Sequence, residues 1–91
     1  MTDRLVAKTE RYERMLAEAL EGSAITEDDP ELADAHLTMA EAYLSDGRHF
    51  LEDDDYVTAL ASFSYGHGWL DAGIRAGFID DDDSVEGARG V

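Results

Sequence analysis

Residues 55–77 read DYVTALASFSYGHGWLDAGIRAG, and the placing of small and large side chains in this stretch decides the fold. At about 100° per residue, its apolar or small positions span well over half of a helical circumference, as expected of a helix buried on most sides. Tyr56, Leu60, Phe63, Leu70 and Ile74 lie on one side. Ala59, Ser62, Gly66 and Gly73 form a seam of small residues with Trp69 just across it, so the indole is expected to be mostly buried. The remaining arc holds Ser64, Gly68, Asp71 and Arg75, with His67 at its rim. The spacing predicts a helix over about 56–76. Asp53-Asp54-Asp55 supplies the break and cap before it, and Gly77 supplies the stop, with Phe78 or Ile79 folding back.

Outward from this stretch, two more helices follow. Asp29, Pro30 and Glu31 are an N-cap, a first helical residue and a favourable charge at the positive helix end, so a second helix runs from about 30 to 52. Leu32, Met39, Tyr43 and Phe50 form its stripe, with Ala35 and His36 beside it and Asp46 and Gly47 projecting into the same arc. A first helix covers 3–21, capped by Thr2 or Asp3, with Leu5, Thr9, Tyr12, Leu16, Ala19 and Leu20 on one face. Gly22 ends it, and the stretch to Asp29 reads as a loop. Short connections make neighbouring helices antiparallel. The expected fold is therefore all-α, an antiparallel up-down-up three-helix bundle over residues 1–79, followed by a disordered acidic tail over 80–91.

The 91 residues make one domain, hold no cysteine and carry a net charge of −15 from 22 acids and 7 bases. Without disulfides or thiolate metal sites, packing of helix faces has to supply the stability. Aspartate (13) outnumbers glutamate (9), and Lys8 is the single lysine against six arginines. That bias resembles the surfaces of salt-loving archaeal proteins. Such a charge opposes binding to nucleic acid and anionic lipid, although at about 1 M salt the Debye length falls to about 3 Å and the opposition weakens. No apolar run approaches the roughly 18 residues of a membrane span. The start, Met-Thr-Asp-Arg, has no apolar export segment, so a cytoplasmic location is expected.

Tyr43, Gly47, Phe50, Ala59 and Phe63 resemble the spacing of a tetratricopeptide repeat. However, Asp46 replaces the usual leucine, the closing proline is absent and no second copy precedes Ala35. A closer resemblance runs from Ala42 to Gly77: Tyr43, Asp46 and Phe50, then Asp55-Tyr56-Val57-Thr58-Ala59, then Ser64-Tyr65-Gly66-His67-Gly68-Trp69-Leu70-Asp71-Ala72-Gly73. This pattern is similar to the archaeal domain-of-unknown-function family 357. The resemblance implies a short helical-bundle protein serving as an accessory module, and it brings no established biochemical role.

Candidate functional residues follow from departures from plain helix chemistry. A glycine inside a helix costs roughly 1 kcal/mol relative to alanine. Gly66 and Gly73 fall in the seam, where a missing Cβ lets helices approach. Gly68 projects onto the outer arc, where packing does not account for it. Ser64, His67, Gly68, Asp71 and Arg75 are therefore the expected partner surface, with Asp71 and Arg75 also readable as a solvated i,i+4 pair. Asp46, placed in an apolar arc, needs a hydrogen-bonding partner if it is buried. With Tyr43 and Trp69 it forms the alternative site, a pocket for a small molecule or metal. Asp46-x-x-His49 has a di-iron-like spacing, but the paired glutamates of such sites are missing. No nucleophile–base arrangement and no phosphate loop is present, so neither catalysis nor a cofactor is expected. The expected role is a protein-interaction module with a protein partner of unknown identity.

Overall fold

In the computed structural model, residues 3–81 are described. The order is α1 (Asp3–Glu21), β1 (Ser23–Ile25), α2 (Pro30–Glu52), α3 (Tyr56–Ala76) and β2 (Ile79–Asp81). The three helices form the expected bundle. Thr9 Oγ1 reaches the Tyr56 carbonyl at the start of α3, and Thr26 bonds the backbone of Gly77 and Phe78 beyond its end, so α1 and α3 run parallel. α2 runs antiparallel to both, and α3 is the central helix, packing against α1 and most extensively against α2.

Local chemistry sets the boundaries. The Asp29 carboxylate accepts from the Leu32 amide at 3.1 Å with Pro30 following, and the Asp55 carboxylate accepts from the Thr58 amide at 3.2 Å. Each bond satisfies one of the amides that a helix start leaves without an intrahelical partner. Asp54 makes the tight reversal between α2 and α3 at φ 60°, a left-handed conformation that aspartate tolerates better than most residues. At the other end of α3, Gly77 adopts φ 93°, the Phe78 amide donates to the Gly73 carbonyl and the Gly77 amide donates to Ile74. This paired closure returns Phe78 and Ile79 to the core.

Two short strands depart from the sequence expectation. The stretch after Gly22 contains β1, which pairs antiparallel with β2 in the register Ser23↔Asp81, Ala24↔Asp80 and Ile25↔Ile79. Asp80 and Asp81, assigned to the tail from sequence, thus belong to a ribbon closing one end of the bundle. Residues 82–91 and the Thr2 cap lie outside the described residues.

The core is built from large side chains lodged over glycines. Phe63, Leu16 and Ile79 are the three largest fully buried apolar side chains, and each faces a glycine. Phe63 of α3 occupies the place a Cβ would take on Gly47 of α2. Leu16 of α1 does so at Gly66, and Ile79 of β2 at Gly73. α2 turns Ala33, Ala40 and Gly47 inward, at seven-residue spacing. Leu32, Met39 and Asp46 each precede one of these by a single residue, so the expected stripe is rotated by about 100° from the core. Leu32 and Asp46 are exposed, while Met39, Tyr43 and Phe50 are half-buried. Asp46, expected in the apolar arc of α2, is thus corrected to a solvent-facing position.

Candidate interaction face

The exposed residues of α1 and α3 differ sharply in kind. Eight of the ten exposed residues of α1 are charged. Along α3 the exposed residues are Val57, Ala61, Ser64, Tyr65, Gly68, Trp69, Asp71, Ala72, Arg75 and Ala76, of which two are charged. Those two pair with each other, Arg75 Nε donating to Asp71 Oδ2 at 2.7 Å. Apart from this pair the outward side of α3 is apolar or small, on a chain of net charge −15. A solvated helix face ordinarily carries charge.

Beside this side, α2 and α3 frame a cleft of about 290 Å³ lined by His36, Ser64, Tyr65, Gly68, Trp69 and Ala72. Trp69 is 37% exposed, which corrects the expectation of burial. Its ring meets the His36 imidazole edge-on at 5.2 Å, and His36 also meets the Phe78 ring at 5.0 Å. His36 Nδ1 lies 2.8 Å from the Leu32 carbonyl. A carbonyl only accepts, so Nδ1 holds a proton there and the ring is fixed in place. One turn away, Tyr43 packs on Tyr65 with ring centroids 5.6 Å apart. Tyr65, at 64% exposure, stands out from the surface.

Four of the five residues expected on the partner surface share the exposed side of α3. Ser64, Gly68, Asp71 and Arg75 are exposed on α3, with Ser64 donating to the Leu60 carbonyl. His67 departs from it. It is half-buried and turned to α1, its Nε2 3.4 Å from the Tyr12 carbonyl and its ring edge-on to Tyr12. Tyr43, Asp46 and Trp69 do not converge, because Tyr43 faces Tyr65, Trp69 faces His36 and Asp46 points to solvent. Among the described residues no three His, Cys, Asp or Glu side chains gather as metal ligands. Sequence reasoning passed over Tyr65, His36 and Ala72 as site residues. The signal available was Tyr65 and Trp69 at i,i+4, two large rings beside the small Ser64, Gly68 and Ala72.

A Cβ at Gly68 would meet nothing within 4 Å. At Gly66 it would meet Leu16 Cδ2 at 2.6 Å and the Ala40 carbonyl oxygen at 3.3 Å. Gly68→Ala is accordingly expected to raise stability by up to about 1 kcal/mol. Gly66→Ala is expected to lower it by roughly 1–3 kcal/mol, since the added methyl forces two helices apart. Thermal unfolding of both variants checks the pair, and equal losses would contradict the outward placement of Gly68.

The arrangement defines a class: a small helical bundle with a largely apolar, aromatic-edged surface on α3. Residues 11–79 match the family described as Protein of unknown function (DUF357), and the chain belongs to that family. No curated protein matches the chain, and no solved structure does. None of the described helices is long and apolar enough to cross a membrane.

Proposed function

We propose that this protein is a non-catalytic interaction module that docks a protein partner on the outward side of α3, in the salt-rich cytoplasm of an archaeon. The observation that carries the docking role is the near absence of charge along that side. Interface centres are depleted in charge and enriched in aromatic residues, and Tyr65 and Trp69 stand at the middle of this one. Capture from its own cytoplasm in molar KCl tests the reading. Ala72→Glu places a charge in the face without touching the core and should abolish capture, whereas Ala7→Glu on α1 should leave it intact. Equal capture by both variants would remove α3 as the docking side.

The halophilic part rests on the excess of aspartate and the single lysine. The acidity is also concentrated: α1 has five acids against four bases, while residues 22–81 have fourteen against two. These charges repel across a Debye length of about 8 Å at 0.15 M salt and far less at about 1 M. The melting temperature is therefore expected to rise steadily from 0.1 M towards molar KCl, by roughly 4–8 °C for each kcal/mol of relieved repulsion. A flat or falling curve would refute salt adaptation.

A further inference from the structure

We infer that the occupant of the α2–α3 face is a second copy of this chain, packed about a two-fold axis near Gly68. This deepens the docking role proposed above and rests on it. Charge is the first ground. A basic partner would call for carboxylates on the face, yet the one acid on α3's outward side, Asp71, is already neutralised by Arg75 at 2.7 Å. What this side of α3 complements is a surface that likewise carries no net charge and presents aromatic rings, and its own counterpart on another copy is one. Shape is the second ground. The protruding rings of Tyr65 and Trp69 lie beside the furrow of Ser64, Gly68 and Ala72, where Gly68 leaves open space. A two-fold axis at Gly68 lays the ridge of each copy along the furrow of the other, so residue i meets j and j meets i.

Size agrees. The 21 residues of α3 span about 30 Å at 1.5 Å per residue. One helix about 10 Å wide, with the flanking His36 and Tyr43 of α2, offers on the order of 400 Å² per copy, the size of a weak and reversible contact. Salt sets the sign of the test. Two chains of charge −15 repel until counterions screen them, so an apolar contact between copies tightens with KCl. Docking of a basic partner would loosen instead.

Sedimentation equilibrium on the full chain, from micromolar to near-millimolar in 0.1, 1 and 3 M KCl, reads the oligomer directly. The expected species is twice the 10.0 kDa chain mass, with a dissociation constant at least tenfold lower in 1 M than in 0.1 M KCl. Ala72→Glu and Gly68→Glu should weaken it at least a hundredfold while circular dichroism stays helical, and Ala7→Glu should leave it unchanged. A monomer at every concentration and salt overturns the second copy. So does a dimer that tolerates both α3 charges. If the monomer still captures another protein and Ala72→Glu loses it, the docking role stands and only the identity of the occupant falls. If neither dimer nor capture responds to Ala72→Glu, both readings fall.

Discussion

Phe63→Ala is expected to cost about 3–5 kcal/mol, much of the roughly 5–10 kcal/mol that holds a domain of this size folded. The ring is fully buried and seats α3 against α2 at Gly47. Truncation leaves a cavity with glycine on its far wall, so no opposing side chain can swing in to fill it. Chemical denaturation at fixed KCl measures the loss as a fall in transition midpoint. A loss below about 1 kcal/mol would mean that the ring does not hold these two helices together.

The reciprocal change attacks the same contact from α2. Gly47→Ala would push a methyl into the Phe63 ring, whose Cδ1 lies 2.6 Å from the Cβ position. That ring is enclosed and cannot swing aside. The expected cost is about 2–3 kcal/mol, although alanine in an open helix would add roughly 1 kcal/mol of stability. Phe63→Leu in the same chain should recover part of it, because the smaller side chain vacates the contested space. A coupling of at least about 0.5 kcal/mol between the two changes is expected. Strict additivity would show that Gly47 is sensitive for a reason unrelated to Phe63.

Helix boundaries were legible because they rest on neighbours in sequence. Asp29-Pro30 and Asp55 begin α2 and α3 through bonds three residues long, and Gly77 ends α3 at a single left-handed residue. The rotation of α2 was not legible in the same way. Leu32, Met39 and Tyr43 look like core by size, yet the inward positions are Ala33, Ala40 and Gly47, because α3 supplies the bulk. Which helix gives volume and which gives space is a property of the pair, absent from either stretch alone. The ribbon was missed because three-residue strands show too little alternation to read. Trp69 was assigned to the seam from its angle beside Gly66 and Gly73. Leu16 and Ile79 occupy those glycines instead, which leaves the indole at the edge. The outer arc was legible from what it lacks, since neither packing nor charge called for Gly68. His67 escaped it because Tyr12, on another helix, draws the imidazole inward.

Ile79 sits both over Gly73 and opposite Ile25 in the ribbon, and among the described residues it is the last core residue in the chain. Synthesis runs from the N-terminus, and domains fold as units once their parts are present. A chain truncated before residue 79 therefore carries all three helical segments but not their lock: the furrow at Gly73 is bare and β1 has no strand beside it. Such a truncated molecule loses apolar cover at one end only, the end where α1 finishes and α2 begins.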